Sequence, residues 1–183
     1  LEFETTLHFL EKYLPKHGRI LDAGGGPGRY TIELAKRGYE VVLLDVTPAN
    51  LEFAKRQIKR ARMQDNVAEI VESSIVDLSR FPSNSFDAVI CLGGPLSHVL
   101  DARKRAQAIS ELTRVAKNGA PIFVSVMSRL GRTSSFLEIP SRTLKHLSNV
   151  MMRLAVSQNS SSFMSHPQSG LSISVKMPGV WGP

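Results

Sequence analysis

Ten residues limit the fold more than any others. LDAGGGPGRY, at 21–30, joins a short apolar segment to a helix-forming one through a run of glycines. A tight strand-to-helix turn needs glycine where φ is positive or where a ligand presses on the backbone, and Gly24, Gly26 and Gly28 supply three such positions. The chain around this turn must therefore present a strand before it and a helix after it. That order is the opening unit of an α/β sheet.

The pattern continues downstream. Leu7, Leu10 and Leu14 mark one face of a first helix, stopped by Pro15 and Gly18. Arg19 to Ala23 reads as a strand and Tyr30 to Arg37 as a helix ended by Gly38. Glu40 to Asp45 contains VVLL, the continuous apolar run of a strand buried on both faces. Thr47 and Pro48 open a helix reaching about Met63. Strands follow at Ala68 to Glu72, Phe86 to Leu92 and Ala120 to Met127, with a helix from Asp101 to about Lys117 before the last. Five strands alternating with helices predict a doubly wound, mostly parallel α/β sheet over residues 1–131.

Two ligand types suit the glycine turn. A dinucleotide sets its pyrophosphate on the helix N-terminus through G-x-G-x-x-G. The best frame here, Ala23-x-Gly25-x-x-Gly28, lacks the first glycine, and Asp22 would stand close to the phosphates. A sulfonium amino acid carries a positive end, which an acid at Asp22 favours. Asp22-x-Gly24-x-Gly26-x-Gly28 resembles the first motif of the class I S-adenosylmethionine-dependent methyltransferases. Further elements of that resemblance follow in order through residue 130 or so. Asp45 ends the second strand, where the family's acid accepts hydrogen bonds from both ribose hydroxyls, and Val46 stands where an apolar residue meets the adenine. VESSIVDL, at 71–78, is similar to the third segment, with Ser73 and Ser74 replacing the usual glycine and aspartate. The resemblance implies that Ser74, Ile75 and Asp77 serve the adenine side, and that Leu92 and Gly93 line the methionine side. With Ala23, these complete the expected set of cofactor contacts. The implied cofactor is S-adenosyl-L-methionine, and the implied activity is methyl transfer.

The acceptor is harder to read. Amino-group methylation of bases usually follows the fourth strand with Asn/Asp-Pro-Pro-aromatic, whereas this chain has CLGGPLSHV at 91–99. The sole cysteine, Cys91, lies within the strand and reads as a packed thiol; one cysteine also excludes an internal disulfide and any multi-cysteine metal site, and no metal is expected. His98 follows the fourth strand and is the candidate base or acceptor-binding group. Arg29 and Tyr30, at the start of the helix after the turn, read as packing and solvent-facing residues. A small-molecule acceptor is expected, because no nucleic-acid motif or aromatic stacking series occurs. The alternative is a binding module without catalysis of its own.

The net charge of +7 raises nucleic acid as a partner. Its distribution argues otherwise. Residues 1–131 hold 18 Lys/Arg against 15 Asp/Glu, while residues 132–183 hold five against one. Lys55, Arg56, Lys59, Arg60 and Arg62 form a basic cluster read as a solvated helix face. With no apolar run of about 18 residues and no signal-peptide pattern, a cytoplasmic, membrane-free protein is expected. The chain lacks a first methionine, so residues upstream are expected to have been removed. The sequence sets no oligomeric state.

After Gly131 the character changes, with twelve serines in the last 52 residues. Ser141 to Val156 is expected to be helical, Gln158 to Gly170 a loop, and Leu171 to Met177 a strand. This segment is expected not to form the antiparallel hairpin that usually closes the fold.

Overall fold

Ile20 and Leu21 are adjacent in sequence, yet they pack into different apolar clusters on opposite faces of one sheet. That alternation organises the whole molecule. The computed structural model describes residues 2–126 and Met151–Leu154. The elements in order are α1 (Glu2–Tyr13), β1 (Arg19–Ala23), α2 (Arg29–Lys36), β2 (Glu40–Asp45), α3 (Pro48–Ala61), a 3-10 turn (Gln64–Asn66), β3 (Val67–Glu72), β4 (Ala88–Cys91), α4 (Pro95–His98), α5 (Ala102–Val115), β5 (Ile122–Ser125) and β6 (Met151–Leu154). The sheet order is β3-β2-β1-β4-β5-β6, with every pairing parallel except β5 with β6.

Helices cover both faces. Leu7 and Leu10 of α1 and Leu34 of α2 bury against Ile20, Val41, Ile90 and Phe123. Ala108, Leu112 and Val115 of α5 bury against Leu21, Val42, Leu44 and Val89 on the other face. Leu51, Ala54 and Ile58 of α3 enclose Leu43. Each leucine, isoleucine, valine or phenylalanine among them contributes about 1.5–3 kcal/mol when fully buried. Truncating Leu43, which has no exposed surface, is expected to cost about 2–5 kcal/mol through the cavity it leaves.

The first strand and the second have the expected bounds. β4 and β5 are shorter than expected. Phe86 makes only an isolated bridge to Ala116, so regular pairing begins at Ala88. Asp101 caps α5 by accepting a 2.9 Å hydrogen bond from the Lys104 amide. Thr47 precedes α3 as expected, but its side chain makes no capping bond; the Thr47 amide instead donates to Asp45.

One expectation is corrected. Met151–Leu154 is not helical but an antiparallel strand, with Ile122 opposite Leu154 and Ser125 opposite Met151. The helical reading rested on Leu144, Leu147, Met151 and Leu154 sharing one helix face, and of these only Met151 and Leu154 fall in the described strand. The edge of β5 carries N–H and C=O groups that need partners, and this decides the matter. The expected loop at 158–170, the expected strand at 171–177 and the rest of the segment 132–183 lie outside the described residues.

β1 has β2 on one side and β4 on the other, so the chain's winding reverses beside it. A crevice opens at such a point, outside the carboxyl ends of the strands.

Candidate functional site

The crevice holds a cavity of about 700 Å³, within the usual range for small-molecule sites. Its floor is the glycine turn. The amides of Gly24 and Gly25 both donate to the Leu44 carbonyl of β2, at 2.7 and 3.1 Å. These bonds carry the chain leaving β1 across to β2. Gly26 then donates to Asp45 Oδ2 at 2.9 Å. The other oxygen of Asp45 accepts from the Thr47 amide at 2.8 Å and from Asn50 Nδ2 at 3.3 Å. Asp45 is only 7% exposed but reaches the cavity wall. An ionised carboxylate offers roughly four lone-pair sites, so accepting capacity remains on Oδ2 for a ligand hydroxyl.

Two glycines of the turn do different work. Gly24 has φ +77°, and a Cβ there would lie 2.5 Å from Pro95 Cγ. Its missing side chain makes room for the first residue of α4, rather than for a ligand. Gly26 has φ +54°, and its Cβ would meet nothing closer than Asn50 at 3.8 Å and Asp45 at 4.0 Å. The bare backbone there leaves space open directly above the acid. Gly28 faces Ala54 of α3 and does not line the cavity.

Of the residues singled out from sequence, Gly24, Gly26, Asp45, Val46, Ser74, Ile75, Leu92, Gly93 and His98 come together on the wall. Asp22, Ala23, Gly28 and Asp77 do not. Ala23 is fully buried in the core. Asp77 is exposed and turned into its own loop, accepting from the Ser79 amide. Ser74 Oγ accepts from the Val76 amide at 3.2 Å and so shapes the turn after β3.

Asp22 lies beneath the loop, against the backbone of Gly25, with 1% exposure. Thr31 Oγ1 of α2 donates to its Oδ2 at 2.6 Å, while Oδ1 is buried without a partner. Burial pushes this carboxyl up to about 6, against the opposing Thr31 bonds. Burial, with the nearby Asp22 charge, likewise pushes the Cys91 thiol up to about 12; this fits a packed core thiol.

Further wall residues are Gly25, Pro27, Arg29, Tyr30, Leu44, Thr47, Asn50, Ser73, Pro95 and Val99. Asn50 was legible in principle, since it lies in the first turn of the helix that follows Asp45. Arg29 and Tyr30 gave no signal beyond adjacency to the turn.

The sequence signature of a family described as "Methyltransferase domain" matches residues 20–119, more than half of the chain. The chain belongs to the class I S-adenosylmethionine-dependent methyltransferase family. The domain is 31% identical over 112 residues to a glycine/sarcosine N-methyltransferase of Aphanothece halophytica, which covers 60% of this chain and 41% of that protein. It is 34% identical to a ubiquinone biosynthesis O-methyltransferase of Hahella chejuensis, over 61% of this chain and 44% of that one. Among solved structures, a SAM-dependent methyltransferase of Methanosarcina mazei superposes with a TM-score of 0.58 at 29% identity, covering 63% of this chain and 55% of the other. The methyltransferase domain thus spans about two-fifths of the length of the first two relatives it matches. Among the described residues, no helix is long and apolar enough to cross a membrane.

Proposed function

We propose that the cavity binds S-adenosyl-L-methionine and that the protein transfers its methyl group to a small-molecule acceptor. The observation that carries this reading is the meeting of Gly26 and Asp45. An open glycine backbone and a nearly buried carboxylate, 19 residues apart in sequence, share one hydrogen bond at the cavity floor. A carboxylate with free accepting capacity there suits a vicinal diol. Val46 is 66% exposed on the wall, and Ile75 is buried across from the strand end; both offer apolar surface to a base. The orphaned Oδ1 of Asp22, under the loop, favours a positive group above it. These features fit the cofactor's ribose, adenine and sulfonium in turn.

When bound, S-adenosylmethionine supplies a methyl group on a sulfonium, open to direct displacement by a nucleophile. The protein's own part is to align and to exclude water. Asp45, itself held by the Gly26 and Thr47 amides, fixes position from the β2 side. Leu92 and Gly93, at the end of β4, wall the opposite side. His98 is exposed on that side and can take up the proton that an amine or hydroxyl acceptor releases. A small acceptor is supported by the cavity's size and by relatives named for glycine, sarcosine and ubiquinone biosynthesis. The basic face of α3 gives little support for nucleic acid. Lys55 is paired with Glu52, and Arg56 lies over Phe53 of its own helix.

The test is calorimetric titration of S-adenosylhomocysteine into the protein and into Asp45→Ala. The variant is expected to bind more weakly by about 1.5–3 kcal/mol, with circular dichroism unchanged. Equal affinity in the two proteins would remove Asp45 from the site and the reading with it.

A further inference from the structure

Arg29 stands apart from the other arginines that hold the fold together. Arg19, Arg37, Arg80, Arg105 and Arg114 are each engaged by carboxylates or backbone carbonyls. Arg29 has neither among the described residues. Its guanidinium lies over the Phe3 ring, 3.8 Å from the centroid, and Phe3 in turn packs on Tyr30 with centroids 4.9 Å apart. Stacking engages the face of a guanidinium. Its five N–H donors lie in the plane and point outward, so the stack orients the fork without consuming any donor. Arg29 and Tyr30 both line the cavity.

The placement adds to this. The wall carries one acid, Asp45, one arginine, Arg29, and one histidine, His98. Asp45 ends β2, whereas Arg29 follows β1 and His98 follows β4, and β1 lies between β2 and β4. On the wall itself the cavity therefore carries its acid at β2 and its arginine and histidine after β1 and β4, while the Asp22 carboxyl lies beneath the loop and off the wall. Phe3 and Tyr30 share their apolar cluster with Leu92 of the β4 side.

We propose that Arg29, seated over the Phe3 ring, determines acceptor specificity by binding a carboxylate of the methyl acceptor. This rests on the reading that the cavity takes S-adenosylmethionine. The acceptor class is then a small organic acid bearing a nucleophilic nitrogen or oxygen, with its carboxylate on the Arg29 fork and its nucleophile toward His98. A rigid fork loses little freedom on binding, and a bidentate pair adds direction to charge.

The experiment is calorimetry on the protein saturated with S-adenosylhomocysteine. Glycine, sarcosine and 4-hydroxybenzoate are titrated beside their amides, the last pair differing only in the carboxylate charge. At least one acid is expected to bind about tenfold or more tightly than its amide. Arg29→Gln should abolish that preference. Phe3→Leu, which keeps the charge but removes the platform, should reduce it severalfold. If no acid is preferred, or if the preference survives in Arg29→Gln, the proposal is wrong. A separate arm compares S-adenosylhomocysteine with 5′-methylthioadenosine, which lacks the amino-acid end. If Arg29→Gln weakens only the former, Arg29 serves the cofactor's own carboxylate and the acceptor assignment fails. If the parent binds no S-adenosylhomocysteine, the functional reading itself has failed, and this proposal falls with it.

Discussion

The ends of β2 and β4 face the same cavity, yet they are built differently. At β2 the backbone and one acid are tied from several directions. Gly24 and Gly25 donate to Leu44, Ser73 donates to the Asp45 carbonyl, and three donors meet the Asp45 carboxylate. At β4 the side-chain ties hold backbone rather than functional side chains. Gly93 donates to Ser125 Oγ, and Arg105 of α5 holds the Val99 and Leu100 carbonyls. His98 is exposed, and Leu100 is 87% exposed. The difference separates two tasks. In the proposed reading, the preorganised acid at β2 serves a ligand whose shape does not vary, and the open wall at β4 meets the acceptor.

Breaking the joint between the two ends should have the largest effect. Gly24 touches Pro95, so Gly24→Val forces a β-branched residue to φ +77° and drives it into α4. Left-handed strain and overpacking together should cost at least about 3 kcal/mol, read as a fall in denaturation midpoint. A variant as stable as the parent would mean that the two ends are not coupled through this contact.

Asp22 gives an effect of similar size and opposite sign. Its folded-state value of about 6 lies above the ordinary 3.8. The folded protein therefore binds the extra proton between those values. The corresponding stability is fully present below pH 3.8 and is lost as the pH rises through 6. Asp22→Asn keeps an acceptor for Thr31 without the buried charge. At pH 8 it should stabilise the ligand-free protein by up to about 3 kcal/mol, and it should flatten the dependence of stability on pH between 3.8 and about 6. An unchanged pH profile in urea titrations would show that Asp22 is not the group responsible.

These two residues also show what the sequence could reveal. The turn and its acid were legible because few alternatives fit DAGGGPG between a strand and a helix. Asp45 was legible because VVLLD puts it at a strand end. The direction in which each side chain points was not legible. Alternation sends Asp22 to the α2 face, under the loop, and Gly24 toward α4; both outcomes depend on packing between elements distant in sequence. Met151–Leu154 became a strand for the same reason, since an open β5 edge outweighs a short apolar period. Arg29 needed Phe3, 26 residues earlier, before it could be seen as anything but solvent-facing.

Smaller changes sharpen the contrast. Gly26→Ala should cost about 1 kcal/mol in stability for its left-handed φ. Its methyl group enters the open space above Asp45, so affinity for S-adenosylhomocysteine should fall by a comparable amount. Unaltered affinity would show that the ligand does not approach this backbone. His98→Ala should have the smallest effect on folding and cofactor binding, within about 0.5 kcal/mol, because the side chain is exposed. Methyl transfer, once an acceptor is found, should drop by about 100-fold or more if His98 takes the proton. A variant with full turnover would leave His98 as a surface residue.

The central claim is that this turn and this acid form a cofactor site for a sulfonium nucleoside, not for a dinucleotide. Titrating the parent protein with S-adenosylmethionine, S-adenosylhomocysteine and NAD under one set of conditions tests it most directly. One-to-one binding of the first two, with no measurable heat from NAD, is the predicted result. Binding of NAD, or of none of the three by a protein whose circular dichroism shows it folded, would contradict the account.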